Sequence, residues 1–219
     1  MAKSGEGEEE QEEYTLREDT LAALNEFLLS KNDSVAEASF PEEDWQLSQF
    51  WYSEETKKKL VDECVSAVGE DGGNIACISC PSLIPLFLQK EEVESGKVKI
   101  RLFEFDLRFQ GKFLLNSEDI FVYYDYTSPL AIAPQLQQQF DLVIADPPFI
   151  SAECFIKTSQ TIRVLSKNKE TKIIICSGSA IQDLASRLLN ASITTFKPEH
   201  ENNLANDFSS FTNYPPVLL

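Results

Sequence analysis

From residue 74 onward, short apolar runs alternate with gaps long enough for a helix, and this alternation constrains the fold more than any other feature. Strands are predicted at 74–80, 98–105, 119–125, 140–145 and 171–176, with two later strands at 192–197 and 208–214. Helices are predicted near 82–92, 129–138, 151–166 and 179–190. Strands rich in Val and Ile that alternate with helices form a parallel sheet covered on both faces, so an α/β protein is expected.

The last two predicted strands, 192–197 and 208–214, have no helix between them. They are therefore predicted to form an antiparallel hairpin at one edge of the sheet. The expected fold is an α/β sheet of seven mostly parallel strands, and its order of elements resembles the Rossmann-like fold of class I methyltransferases. Ligands in such sheets bind beyond the carboxyl ends of the strands, so functional residues are expected where each strand ends.

Three regions of different composition follow one another along the chain. Residues 1–16 are predicted to be a disordered acidic tail, because low-complexity acidic sequence buries too little apolar surface to fold. Residues 17–44 are predicted to contain an N-terminal helix that begins at Asp19, followed by a polar linker. Residues 45–219 are predicted to form the main domain, whose first helix is capped by Ser53.

The net charge is −17, and most of it lies in residues 1–70, where acidic residues outnumber basic residues by 19 to 6. Nucleic-acid-binding proteins normally present a basic face to the phosphates, so this composition argues against a nucleic-acid partner and favours a basic protein. No apolar run approaches the ~20 residues that cross a bilayer. The acidic amino terminus has no secretion or transit signal, so a cytoplasmic protein without membrane contact is expected.

Five cysteines, an odd number, lie in apolar segments and are predicted to be reduced, buried thiols. Two of them, Cys77 and Cys80, are three residues apart in the first predicted strand. Side chains alternate along a strand, so residues three apart point to opposite faces and do not share a metal ion, and zinc needs about four ligands. A metal site is therefore not expected.

The sequence FDLVIADPPF at 140–149 places an Asp-Pro-Pro-Phe string directly after a predicted buried strand. Prolines have a nearly fixed φ and no N–H, so this loop is rigid and its carbonyl oxygens remain free to accept hydrogen bonds. The Asp146 carboxylate and the Pro147 carbonyl can accept the two N–H groups of an amine and so aim its lone pair. Phe149 can hold a cationic group against its ring. The simpler interpretation is a strand-to-helix turn, since Asp-Pro and Pro-Pro are turn formers.

This string resembles the catalytic motif of amino-methyltransferases that act on adenine, cytosine, glutamine and some lysines. Together with WQLSQFWYS (45–53), FEFDLRF (103–109) and ENNLANDFSSFTNY (201–214), it makes the chain similar to the family of elongation factor 1-alpha lysine methyltransferase 1. That family was once labelled adenine-specific DNA methyltransferases because of the same motif. The resemblance covers nearly everything from residue 45 to 214. It implies methyl transfer from S-adenosylmethionine to a lysine of elongation factor 1-alpha, with the motif supplying the catalytic residues Asp146, Pro147 and Phe149.

The cofactor site implied by the resemblance draws on the ends of three predicted strands. The loop after the first strand contains Cys80 and Pro81 and lacks the glycines that most such folds have there. An acid that ends the second strand is the usual partner of ribose hydroxyls, and Asp106 is favoured over Glu104 because it lies just past the strand. Asp125, at the end of the third strand, suits the adenine amino group.

Trp51 and Asp146 complete the predicted cofactor-binding residues. Trp51 belongs to a block at 49–53 that resembles the segment folded over the methionine end of the cofactor. The plainer alternatives remain open: an aromatic cluster that plugs the sheet, and turn-forming acids at Asp106 and Asp125.

His200, the only histidine, lies in the predicted hairpin loop. It could relay a proton or line the substrate cleft, although a position in a surface loop is the simpler interpretation. Three functions are considered for the whole chain, with a protein-lysine methyltransferase favoured and a monomer expected. A nucleic-acid adenine methyltransferase is opposed by the charge and by the lack of a target-recognition domain. A catalytically silent Rossmann module is favoured by the missing glycines but opposed by the intact Asp-Pro-Pro-Phe string.

Overall fold

The part of the chain that follows the predicted linker contains most of the elements expected from the sequence. The computed structural model describes residues 40–202 and 207–219. The predicted acidic tail at 1–16 and the helix expected from Asp19 lie outside the described residues. From Pro41 onward the described residues form one compact unit.

Helix α1 spans Glu54–Val68 and follows a short 3-10 turn at Trp45–Leu47. Ser53 caps this helix as predicted, because its Oγ accepts a hydrogen bond from the Thr56 amide at 3.3 Å. The other helices are α2 (Ile84–Leu88), α3 (Glu91–Glu94), α4 (Ala152–Leu165) and α5 (Gln182–Leu189). Among the described residues, no helix is both long enough and apolar enough to cross a membrane.

A seven-stranded sheet forms the centre of the unit. Its strands are β1 (Gly73–Ile78), β2 (Val98–Glu104), β5 (Phe121–Tyr123), β6 (Leu142–Ala145), β7 (Lys172–Gly178), β8 (Ser192–Ile193) and β9 (Phe208–Thr212), while β3 (Leu114–Leu115) and β4 (Glu118–Asp119) form a separate ribbon. The sheet order is β5-β2-β1-β6-β7-β9-β8. The first five strands in this order pair in parallel, and β9 and β8 pair antiparallel at one edge. The predicted seven-stranded, mostly parallel sheet with a carboxyl-terminal hairpin is confirmed.

The central strand β1 sets the position of the functional edge. It has β2 on one side and β6 on the other, so the order of connections reverses here. In the register, Ile78 lies opposite both Phe103 of β2 and Ala145 of β6. The residues that follow these three strands therefore begin at one level of the same edge. This is the switch point at which α/β sheets bind ligands.

Burial along the strands explains their composition. All four residues of β6 are buried, and so is every residue of β7 after Lys172. Such continuous burial requires helices on both faces of the sheet, which is why these strands are rich in Ile rather than alternating with polar residues. All five cysteines are buried free thiols, as predicted.

Three predicted elements differ from the structure. The helix expected at 129–138 is wrong, since only a 3-10 turn at Pro134–Leu136 forms there. Pro134 restricts the residue before it, and Ala133 is accordingly extended at φ −55° and ψ 135°. The helix expected at 82–92 is divided into α2 and α3 by an extended Lys90. The strand expected at 192–197 is reduced to the two residues of β8.

Candidate active site

A cavity of about 490 Å³ lies at the carboxyl ends of β1, β2, β5 and β6, which is the edge predicted to be functional. Its volume is within the range of pockets that bind small molecules. Two further segments cover it, the amino-terminal block (residues 49–53) and the loop around His200. The lining residues that carry the argument below are Gln49, Trp51, Ser79, Cys80, Pro81, Glu104, Asp125, Tyr126, Asp146, Pro147, Phe149, His200 and Phe208.

The Asp-Pro-Pro-Phe string leaves β6 directly into this cavity. The amide of Asp146 donates to the carbonyl of Ile78 at 3.0 Å, so the loop is attached to β1 at its first residue. Pro147 is buried, whereas 40% of Phe149 is exposed. The Phe149 ring meets the Tyr126 ring edge-to-face at 5.7 Å between centroids. The three residues predicted to be catalytic thus share one wall of the cavity, with an aromatic pair at its mouth.

Asp146 is hydrogen-bonded to a side chain that is distant in the sequence. The Tyr52 hydroxyl donates to Asp146 Oδ2 at 2.6 Å, across 94 positions of sequence. The pKa of Asp146 is raised to about 7: burial raises it most, the Tyr52 hydrogen bond lowers it, and the charge of Glu104 raises it. Burial also raises the pKa of Tyr52 well above its usual value, so its hydroxyl stays protonated and remains the donor.

The two acids at the end of β2 have different environments. Glu104 lines the cavity, and its Oε1 accepts the amides of Phe105 and Asp106 at 2.9 and 3.0 Å. Burial raises the pKa of Glu104 to about 7. Asp106 is buried outside the lining, where Gln49 Nε2 donates to it at 2.9 Å and Arg108 Nε at 2.8 Å. Asp106 also caps the 3-10 turn at Leu107–Phe109. Its role as a direct cofactor ligand stays a prediction, and Glu104 is the acid that the structure brings to the cavity.

The loop after β1 lacks glycine but has the conformation that glycine usually supplies. Ser79 has a φ of +53°, in the left-handed region that few residues other than glycine adopt. Its amide donates to the Phe103 carbonyl at 2.9 Å. Cys80 and Pro81, the two predicted residues of this loop, follow it in the lining. Burial raises the pKa of the Cys80 thiol well above its usual value. Cys80 therefore lines the cavity as a neutral thiol and is not a nucleophile.

Asp125 also lies where it was predicted, in the cavity wall after β5. One of its oxygens, Oδ1, accepts the amide of Thr127 at 2.8 Å and fixes the turn. Oδ2 is therefore the oxygen that an adenine amino group would use. The turn-forming role and the binding role are compatible in this residue.

The amino-terminal block and the His200 loop are joined over the cavity. Tyr52 and His200 form an antiparallel bridge, and the amide of Glu201 donates to the Trp51 carbonyl at 2.9 Å. Trp51 is almost buried, its indole N–H donates to the Pro41 carbonyl, and it lines the cavity as predicted. Residues of the block therefore lie both in the lining of the cavity and in the buried core.

His200 is buried, with 7% of its surface exposed, and it lines the cavity. The surface-loop interpretation is therefore wrong. Its ring packs on Tyr52 at 4.9 Å and on Phe208 at 4.7 Å between centroids. Burial lowers the pKa of His200, so the imidazole is neutral at pH 7 and does not repel a cation.

Two features of the site were missed from the sequence. Tyr52 was grouped with its aromatic neighbours, and only its distance to Asp146 shows a separate role. Glu104 was ranked below Asp106 because Asp106 lies just past the strand, but sequence spacing at a strand end does not distinguish a capping acid from a lining acid. The signal that could have separated them is Arg108, two residues after Asp106 and able to pair with it.

The charge of the lining is the last element of the site. Glu104, Asp125 and Asp146 line the cavity, and none of its described lining residues is Lys or Arg. Such a surface favours a ligand that carries positive charge and hydroxyl or amino donors.

The chain matches known proteins over most of its length. A family model described as "Probable N6-adenine methyltransferase" matches residues 43–216. The chain is 45% identical over 208 residues to "Protein-lysine N-methyltransferase M142.8" of Caenorhabditis elegans, covering 91% of this chain and 93% of that protein. It is 39% identical over 218 residues to "EEF1A lysine methyltransferase 1" of Homo sapiens, covering 96% of each. It is 40% identical over 224 residues to "Protein-lysine N-methyltransferase CG9154" of Drosophila melanogaster, covering 93% of this chain and 95% of that protein.

Proposed function

This chain belongs to the family of protein-lysine N-methyltransferases that includes EEF1A lysine methyltransferase 1, and we propose that it methylates a lysine of elongation factor 1-alpha with S-adenosylmethionine. Family membership makes it an S-adenosylmethionine-dependent enzyme, and the elongation factor is the proposed part. The observation that carries the proposal is Asp146, which enters an acid-lined cavity at the end of β6.

The lining fits S-adenosylmethionine by its donors, acceptors and charge. Because Glu104 Oε1 is occupied by two amides, Oε2 is available to the ribose hydroxyls. Asp125 would accept the adenine amino group, and Trp51, Cys80 and Pro81 would enclose the cofactor. When bound, S-adenosylmethionine supplies a methyl group on a positively charged sulfur.

The motif loop would orient the lysine nitrogen. The Asp146 carboxylate and the Pro147 carbonyl would accept its two N–H groups, which directs the lone pair at the methyl carbon. A lysine nitrogen aligned in this way would accept the methyl group that the bound cofactor supplies, by direct displacement at the methyl carbon. Two neutral prolines keep the loop from shifting during this displacement.

A lysine must lose a proton before it can attack. Free lysine has a pKa near 10.4, so at pH 7 only about one amine in a few thousand has a lone pair. Burial and the nearby sulfonium charge lower this pKa, whereas the Asp146 carboxylate raises it. Asp146 would therefore act mainly by orientation, and the proton would leave to water. Phe149 and Tyr126, at the mouth, would hold the ammonium and its methylated products against their rings.

The two rival functions have less support. A DNA substrate would bring phosphates to a cavity whose described lining has acids and no Lys or Arg. A silent binding module is opposed by membership in a family of named enzymes and by the complete Asp-Pro-Pro-Phe string. The missing glycines favoured the silent module, but Ser79 adopts the positive φ that a glycine usually supplies in this loop.

Methylation with tritiated S-adenosylmethionine tests the proposal directly. The purified chain is offered elongation factor 1-alpha and, in a separate reaction, duplex DNA that contains adenine. Label is expected on lysine of the protein after acid hydrolysis and not on DNA, at a rate that falls as salt rises because charge steers the encounter. Label on adenine with none on the elongation factor would reverse the order of the two enzyme functions.

A further inference from the structure

We propose that Tyr52 is a positioning residue for methyl transfer: its hydroxyl occupies Oδ2 of Asp146 and so reserves Oδ1 for the substrate amine. This inference rests on the proposed function of the same site. The hydrogen bond is short, 2.6 Å, and it joins the amino-terminal block to the end of β6. A free carboxylate offers two equivalent oxygens and rotates between them. With one oxygen fixed, the other has a single direction, as alignment of an attacking lone pair requires.

Tyr52 is itself held from three sides. Only 1% of its surface is exposed. Its backbone forms a bridge with His200, and the next amide, of Ser53, donates to the Glu199 carbonyl at 2.8 Å. Its ring packs on the His200 ring, which packs in turn on Phe208. The hydroxyl therefore keeps its position without help from a ligand, and Asp146 is pre-organised before the substrate arrives.

The hydroxyl also governs how readily Asp146 accepts a hydrogen bond. The titratable groups that face this carboxyl are Tyr52 from the amino-terminal block, Glu104 from β2, Cys80 after β1 and Cys176 from β7. Burial and Glu104 favour the neutral acid, and the Tyr52 hydrogen bond favours the carboxylate. Without the hydroxyl, a larger fraction of Asp146 is neutral at pH 7 and the amine loses its acceptor.

Tyr52→Phe removes the hydroxyl and keeps the ring that packs on His200. A matched control exists in Tyr214→Phe, because the Tyr214 hydroxyl donates to another buried carboxylate, Glu63, at 2.9 Å. Neither Tyr214 nor Glu63 lines the cavity. Both variants thus lose one tyrosine-carboxylate hydrogen bond, and only one of them loses it at the site.

Two measurements on the full chain decide the question. The first is the carboxyl ¹³C shift of Asp146 against pH, assigned by its loss in Asp146→Asn. Tyr52→Phe is expected to raise the pKa of Asp146 by about 1 to 2, the size expected for one charge-assisted hydrogen bond. The second is kcat against pH with elongation factor 1-alpha. At pH 7 we expect a fall of about 10- to 100-fold, an acidic limb displaced to higher pH, and KM changed less than about threefold.

Tyr214→Phe is expected to leave both the Asp146 titration and the pH profile unchanged. An unchanged Asp146 titration in Tyr52→Phe would overturn the inference, and so would an equal change in Tyr214→Phe. If the wild-type chain does not methylate the elongation factor, the proposed substrate fails. The Asp146 titration needs no substrate, so it still decides whether Tyr52 holds the carboxylate.

Discussion

At the scale of single residues, the site combines a buried acid, Glu104, and a partly buried acid, Asp146, in one cavity. Burial raises the pKa of both Glu104 and Asp146 to about 7, and Glu104 adds to the shift of Asp146 through its charge. In the free protein each therefore titrates near neutral pH and not in the usual range of a carboxyl group. A cation that enters the cavity favours their ionised forms. Each acid thus contributes more to cofactor binding as the pH rises through about 7 and less as it falls.

Substitutions of Glu104 and Asp106, the two acids at the end of β2, test which of them binds the cofactor. Glu104→Gln is expected to weaken S-adenosylmethionine binding by about 10- to 100-fold, as for loss of charged hydrogen bonds. It should also reduce the increase in cofactor affinity from pH 6 to pH 8. The part of the increase that remains is due to Asp146. Asp106→Asn keeps an acceptor for Gln49 and Arg108 and should weaken binding by much less. Calorimetric titration of both variants across this pH range measures the difference.

The opposite order of affinities would restore Asp106 as the direct ribose partner. It would also show that Glu104 serves only to fix the amides of Phe105 and Asp106.

At the scale of elements, the loop after β1 shows how a glycine-free sequence can form a cofactor loop. Ser79 adopts a φ of +53°, and its short side chain tolerates the left-handed backbone that brings the chain to the edge of the cavity. The cost of this conformation for a residue with a Cβ atom is about 1–2 kcal/mol. The loop therefore stores some strain at the site, and the hydrogen bond to Phe103 opposes its relaxation.

Ser79→Val tests this loop, since a β-branched side chain tolerates a positive φ poorly. We expect a loss of about 1–3 kcal/mol of unfolding free energy and cofactor binding weakened by at least about tenfold. Asn190→Val is the matched control, because Asn190 has a φ of 54° at the end of α5 and does not line the cavity. It should lose similar stability and keep its affinity. Thermal unfolding and calorimetry report the two quantities, and equal losses of affinity would show that the Ser79 conformation has no role at the site.

Features that depend on neighbouring residues could be predicted from the sequence, whereas features that depend on distant contacts could not. The strand before Asp146 was predicted because burial on both faces leaves a continuous apolar run. The edge hairpin was predicted because no helix lies between 192–197 and 208–214. The helix at 129–138 was predicted from its place between two strands, although Pro134 restricts the backbone of Ala133. The Tyr52–Asp146 bond spans 94 positions, and no local pattern records it. His200 was misplaced for the same reason, since its burial comes from Tyr52 and Phe208.

At the scale of the whole molecule, charge and topology point to the same class of substrate. The chain has a net charge of −17, and the described lining of its cavity has acids and no Lys or Arg. The strand order places the motif loop beside the end of β1, where the cofactor is expected, and the hairpin loop brings His200 across from it. A basic protein that presents a lysine is complementary to this arrangement, and a polyphosphate is not.

Asp146 is the residue on which this account depends most, and Asp146→Asn is its most direct test. The variant keeps one acceptor oxygen and loses the charge. The measurement is single-turnover methylation of elongation factor 1-alpha from pH 6 to 10, with cofactor binding followed in parallel by calorimetry. We predict a rate reduced by about 100-fold or more, within the range seen when one positioned catalytic group is removed. Cofactor affinity should change by no more than about fivefold, because Glu104 and Asp125 remain. A rate close to that of the wild-type chain would show that the Asp-Pro-Pro-Phe string is only a turn and that methyl transfer occurs elsewhere.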